Sequence, residues 1–179
     1  NNGYLKAYNT DYIAIVKLIK KYQLDRNSSV LIQGSGGMAK AVVAAFKNSG
    51  FENVKIVARN PKTGRYLADL YGYQYLAELT DQVADILVNV TPIGMAGGEE
   101  EFDLAFPCAM IERARVAFDV VALPAETPFI RYAKEQHKLT ISGAEVIVLQ
   151  AVEQFELYTG LRPSEELIAE AAAFARSNG

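Results

Sequence analysis

Cysteine and histidine are almost missing from this chain of 179 residues, which holds one of each, Cys108 and His137. A single cysteine excludes an intrachain disulfide, the two residues cannot furnish a Cys/His zinc site, and a Cys-His or Ser-His nucleophile pair finds no support. His137 lies in the charged run Lys134 to Lys138, read as a solvated helix end, and Cys108 follows Pro107 in what reads as a loop, so neither is given a role and no metal is expected. An excess of one charge is lacking as well. With 18 basic and 21 acidic residues well mixed and a formal charge of -3, no face is built to neutralise a phosphate backbone, and nucleic acid is not an expected partner. No apolar run approaches the ~20 residues of a membrane span, and there is no signal-peptide pattern. Together these point to a soluble protein of a reducing, cytoplasmic compartment with no membrane partner. An initiator Met is also absent: the chain opens Asn1-Asn2-Gly3 and runs almost at once into a helix, as the back part of something longer would.

What is present is apolar residue in quantity, half of the chain, enough for one core without disulfides or metals. From Thr10 to Tyr22 the residues Ile13, Ile15, Val16, Leu18, Ile19 and Tyr22 recur at helical spacing opposite Lys17, Lys20 and Lys21, with Asn9 or Thr10 as the cap. Ser29 to Gln33 reads as a strand, Met38 to Lys47 as a helix closed by Gly50, Val54 to Ala58 as a second strand, and Pro61 to Tyr71 as a helix with Pro in its first turn. The alternation continues with strands at Asp85 to Val90, Val116 to Val121 and Leu139 to Ile141 and a helix at Pro128 to Gln136. Helices over 144–158 and 164–176 finish the chain, and no repeat or linker interrupts it. Strands alternating with helices predict a Rossmann-like, doubly wound, mostly parallel α/β sheet covered on both faces, one domain over 1–179 that includes the helix over 9–23. The glycine-rich stretch Thr91 to Glu101 is too long for a routine connection and follows a strand, where such sheets bind ligands.

The turn between the first strand and its helix, Gly34-Ser35-Gly36-Gly37-Met38-Ala39, fits G-x-G-x-x-A. A pyrophosphate at a helix N-terminus needs bare N–H groups and the positive end of the helix dipole, so side chains must be absent where it approaches. A dinucleotide is the reading; a purely structural turn is the bland alternative. An Asp or Glu ending the second strand would accept bonds from a 2′-hydroxyl, but here the strand ends Ala58-Arg59-Asn60 with Lys62 and Arg65 beyond. Cations and donors suit a 2′-phosphate, which favours NADP over NAD, unless Arg59 is merely a solvated strand-end cation.

Four segments in order carry a resemblance. GYLKAYNTDY (residues 3–12) resembles the G-x-N-T-D segment of shikimate dehydrogenases, and IQGSGGMAKA resembles their G-A-G-G-A-x-x-A turn. NVTPIGM (89–95) is similar to their N-A-T-S-x-G-M loop, and VLQAVEQFELYTG (148–160) to their L-V-x-Q-x-x-x-x-F-x-x-W-T-G helix. FDVVALPAETPF is a fifth, weaker match. The resemblance implies a two-domain enzyme reducing 3-dehydroshikimate with NADPH, of which this chain is the cofactor domain and the N-terminal substrate domain is a partner outside it. It implies that Asp11 pairs with a Lys of that domain on the reacting hydroxyl of a small cyclic hydroxy acid; read alone, Asp11 is a first-turn acid favoured by the helix dipole. Gln150, an amide amid apolar neighbours, is implied to bind substrate; a backbone partner is its ordinary alternative. Thr91, Gly94, Met95, Val120 and Gly143 align with positions near the cofactor, beside Gly34, Ser35, Gly36, Gly37, Met38, Arg59, Asn60 and Lys62. Three departures mark a divergent branch: Ala122 where the family has a substrate-touching Tyr, Ser142-Gly143-Ala144-Glu145 for D-G-x-G, and Pro92 for Ser. Quinate or another polyol acid thereby becomes a rival substrate, a non-catalytic NADP-binding module is the rival of another class, and a homodimer remains open.

Overall fold

The computed structural model describes residues 7–177, so Gly3 to Lys6 of the first matched segment and the outermost ends of the expected domain lie outside the described residues. The chain runs α1 (Thr10–Lys21), β1 (Val30–Gln33), α2 (Gly37–Asn48), β2 (Val54–Val57), α3 (Pro61–Tyr71), β3 (Gln74–Leu76), β4 (Ile86–Asn89), α4 (Cys108–Arg113), β5 (Val116–Asp119), α5 (Pro128–Glu135), β6 (Leu139–Ile141), α6 (Gly143–Thr159) and α7 (Glu165–Ser177). The strands form one sheet in the order β3-β2-β1-β4-β5-β6, every pair parallel rather than mostly so. Crossing from β3 at one edge back through β1 and then out to β6 reverses direction between β1 and β4, the crevice where such sheets hold ligands.

Alternation along the strands sends side chains to two separate cores. Val30, Ile32, Ile56, Val88 and Phe118 pack under α1, α2, α3 and α6, whereas Leu31, Val57, Leu87 and Ala117 meet Met110, Ile111, Phe129 and Ala133 of α4 and α5. Continuous apolar runs such as VLI and ILV are what a sheet buried on both faces requires. α1 begins at Asn9, whose Oδ1 accepts from the Tyr12 N–H at 2.9 Å, and buries Ala14, Ile15, Leu18 and Ile19.

Two elements escaped the sequence reading. β3 is a three-residue edge strand with Gln74 exposed, too short to show alternation, and α4 is six residues long, less than two turns. Cys108 is therefore not in a loop but opens α4, at an exposed position. The expected strands also overran their ladders: Ala58, Val90, Val120 and Val121 lie beyond the paired residues, where the chain has already turned into the loops of the site.

Candidate functional site

The expected cofactor positions gather beyond the carboxyl ends of β1, β2, β4 and β5. Gly34 leaves β1 with φ of +127°, its N–H donating to the Val57 carbonyl at 2.8 Å, and a Cβ there would stand 2.8 Å from the Val90 carbonyl oxygen. Only glycine fits between those two backbones. Gly36 and Gly37 are bare for a different reason. They cap and open α2 with ordinary φ, and a Cβ on either would meet nothing within 4 Å. The protein itself does not need these two glycines; the open space lies over the first-turn N–H groups of α2. That turn carries no acid and no capping side chain, so its partial positive charge is left for an external anion. Behind it Ala39 is fully buried and Met38 half-buried against the core, while Ser35 Oγ lies 2.7 Å from Thr63 Oγ1 on α3.

Beside the turn is a cleft of about 400 Å³ whose walls include Gln33, Arg59, Asn60, Leu79, Thr91 and Pro92. Gln33 Oε1 is buried there without a hydrogen-bond partner, an acceptor that a bound donor would satisfy. Arg59, two residues past β2, holds Glu100 in a two-pronged pair, Nη1 to Oε1 at 3.1 Å and Nη2 to Oε2 at 3.0 Å. The Asn60 side-chain oxygen is spent on capping α3, accepting from the N–H groups of Lys62 and Thr63 at 3.0 and 3.3 Å. Lys62 is exposed on the first turn of that helix. Arg65, expected with this cationic group, instead lies 5.1 Å over the Tyr75 ring, whose electron-rich face attracts it.

The loop after β4 is organised from beneath by buried polar groups that the sequence reading passed over. Asn89, fully buried, accepts from Thr91 N–H at 3.0 Å and Thr91 Oγ1 at 2.6 Å, and donates to the Ile93 carbonyl and to Asp119 Oδ1, both at 3.1 Å. Asp119 in turn accepts from the Val121 N–H at 3.0 Å and, through Oδ2, from Thr127 Oγ1 at 2.6 Å. One carboxylate thus ties together the loops after β4 and β5 and the start of α5. Gly94, with φ of +85°, is buried against Thr127 and Pro128, and Met95 is exposed. Val120 donates its N–H to the Asn89 carbonyl at 3.1 Å. Gly143 opens α6 so close to this segment that a Cβ would lie 1.9 Å from the Val121 carbonyl oxygen. A polar residue ending each of β4 and β5, in otherwise apolar strands, was the available signal for this network.

Burial pushes the Asp119 carboxyl up from 3.8 to about 6, against the lowering pull of hydrogen bonds from Thr127, Val121, Asn89 and Val120. The native state therefore binds this proton more tightly than the unfolded chain does, and stability falls as pH rises from 3.8 through about 6. The penalty is absent below that window and complete above it, on the order of 3 kcal/mol. Urea unfolding of wild type and Asp119→Asn across this pH range should give a difference curve with that slope; a flat difference would remove Asp119 as its source.

Asp11 stands in the first turn of α1 and Gln150 in the middle of α6, and the two helices pack against each other: Gln154 Nε2 reaches Thr10 Oγ1 at 3.4 Å, Lys17 pairs with Glu153, and Lys21 with Glu145 at 2.6 Å. Among the described residues neither the Asp11 nor the Gln150 side chain has a hydrogen-bond partner. Gln150 is half-buried rather than buried, because α6 turns only Gly143, Val146 and Val152 fully inward and leaves Ile147 and Ala151 exposed. The alternative of a backbone partner for this amide has no counterpart among the described residues, and the apolar neighbours in sequence do not bury it. A larger groove, about 810 Å³, runs between α1, α5, α6 and α7, but its Lys17, Lys21 and Lys134 are already matched to Glu153, Glu145 and Glu126. None of these three lysines is left unmatched for a ligand.

The chain matches no protein-family model. It is 74% identical over 177 residues, 99% of its length, to the shikimate dehydrogenase-like protein of Haemophilus influenzae, of which it covers 65%. A solved structure of a shikimate 5-dehydrogenase-like protein superposes with a TM-score of 0.95 at 74% identity, over 98% of this chain and 65% of that one. The shikimate 5-dehydrogenase of Thermus thermophilus, solved with NADP(H) and shikimate, follows at a TM-score of 0.80 and 29% identity, over 94% of this chain and 63% of that one. The chain therefore spans about two thirds of the length of these proteins, corresponding to their C-terminal part.

Proposed function

Homologous to the shikimate dehydrogenases along nearly its whole length, this chain is, we propose, the NADP-binding part of an oxidoreductase that moves hydride between NADP(H) and shikimate/3-dehydroshikimate or a related cyclic hydroxy acid. The observation that carries the reading is the pair of glycines, Gly36 and Gly37, kept bare over an uncapped helix N-terminus although the fold would accept side chains there. The first-turn N–H groups of α2 would hold the pyrophosphate, Arg59 and Lys62 the 2′-phosphate, and Gln33, with its orphaned oxygen, would meet a donor of the bound molecule. Thr91, Gly94, Met95, Val120 and Gly143 shape the edge of the crevice toward β5, where the nicotinamide half belongs, and Asn60 acts by capping α3 rather than by touching the ligand. NADPH supplies hydride to a carbonyl carbon, and reversal requires that the resulting hydroxyl lose its proton.

Asp11 would take part in that proton transfer as the partner of a lysine from a domain outside this chain; a carboxylate beside the ammonium would orient it on the reacting oxygen. Gln150, half-buried and unpaired, would bind a hydroxyl or the carboxylate of the substrate. Steady-state kinetics on the full-length protein test the assignment: NADPH-dependent turnover of 3-dehydroshikimate is expected, and no turnover with any cyclic hydroxy acid would overturn it. Ala122, half-buried just beyond β5 where the family has a substrate-touching Tyr, favours a second reading in which quinate or another polyol acid is the better substrate. A panel of such acids separates the two by kcat/KM. Arg59→Glu should weaken NADP by about 100-fold and NAD only a few-fold, since a lost charge-assisted fork and a new repulsion act on the phosphate alone. Equal losses by calorimetry would refute the 2′-phosphate assignment.

A further inference from the structure

Arg59 does not stand by itself at the end of β2. Its two terminal nitrogens are both engaged by Glu100, 41 residues away in the loop after β4, in the planar fork that a phosphate would also demand. Nor is Glu100 loosely held: its carbonyl accepts from Gly94 N–H at 2.9 Å and from Asp103 N–H at 3.2 Å, and its neighbour Glu101 accepts from Gly97 N–H at 3.0 Å. The carboxylate is the less exposed member of the pair, 32% against 73% for Arg59. An anion is thus built into the place where the cofactor's own anion would go.

Resting on the reading of this crevice as an NADP site, we infer that Glu100 is a specificity-determining residue that holds down the preference for a 2′-phosphate over a 2′-hydroxyl. The phosphate must share or displace a carboxylate that already satisfies the guanidinium, and it is repelled by that carboxylate at short range. A free 2′-hydroxyl meets no such repulsion and finds an acceptor. Sheets that bind NAD place an acid at the end of the second strand; this chain lacks it there, and Glu100 brings one to the same spot from the other side of the crevice. Cation and anion together give the ribose end two ways to be occupied.

Calorimetric titration of the chain and of Glu100→Gln with NADP, NAD, 2′,5′-ADP and 5′-AMP at one fixed ionic strength tests this. Glu100→Gln should tighten NADP and 2′,5′-ADP by about tenfold while leaving NAD and 5′-AMP unchanged or a few-fold weaker. Glu100→Ala should move both ratios the same way, which makes the charge, not the amide, the cause. An unchanged NADP-to-NAD ratio, or weaker NADP binding in both variants, overturns the role of Glu100 while leaving the NADP site standing. No binding of either dinucleotide to any of the three proteins overturns both.

Discussion

Gly143→Ala should lower the thermal midpoint by about 10 °C and abolish cofactor binding with it. The added methyl would lie 1.9 Å from the Val121 carbonyl oxygen and 2.8 Å from the Val120 carbonyl carbon, all of it backbone that cannot rotate away. Either α6 withdraws from β5 or the segment after β5 is pushed toward the Asn89–Asp119 network. Overpacking a well-packed site costs about 1–3 kcal/mol, and backbone on the receiving side puts this one at the upper end; a domain of this size loses roughly 2–4 °C per kcal/mol. A midpoint within a degree or two of wild type would mean that the Val121 carbonyl does not confine Gly143.

Gly36→Val should do the opposite: leave the midpoint unchanged and weaken NADP by about 100-fold. Gly36 has φ of -77° and ψ of -166°, an extended conformation valine adopts readily, and beyond its two chain neighbours no protein atom lies within 4 Å of its Cβ position. The only thing a side chain there can obstruct is a ligand, and losing one or two charge-assisted N–H bonds to phosphate is worth about 2–3 kcal/mol. Differential scanning calorimetry and a binding titration on the same sample distinguish the cases. Retained affinity would show that the pyrophosphate does not lie over α2. The two glycines make a matched pair, one required by the fold and indifferent to ligand chemistry, the other the reverse.

That distinction was not available from the sequence, where Gly34, Gly36, Gly37 and Gly143 are the same letter. The order of elements was legible because each strand of β1, β2, β4 and β5 is a short apolar run bounded by turn residues and each long helix has a periodic apolar face. β3 and α4 were not, each being too short to complete two periods of the pattern that would reveal it. The glycine turn and Arg59 were legible because their spacing from strand ends fixes their position. Glu100 was not: nothing local to the sequence 99–101, three acids in a glycine-rich loop, says that one of them crosses the crevice to the end of β2. Asn89 and Asp119 sat in view as polar residues at strand ends, but the link between them is a contact across neighbouring strands, set by the register Asn89 opposite Asp119. How far Gln150 is buried was not legible for a related reason, since apolar neighbours in sequence do not say which side of a helix the rest of the molecule covers.

The packing of α1 has a mechanical consequence. Its inner face, Ala14, Ile15 and Leu18, shares one core with α2 and the strands, while its outer charges pair with α6 at Glu145 and Glu153. The helices bearing Asp11 and Gln150 are therefore anchored to the same body as the glycine turn. The distance from the glycine turn to the backbone positions of these two residues is set by the packed helices themselves, so on the proposed reading only side-chain rotamers are left to order when a ligand arrives. On the proposed reading, a domain closing over this surface would close against an anvil, and the travel that aligns the two sides would have to be made by the other one.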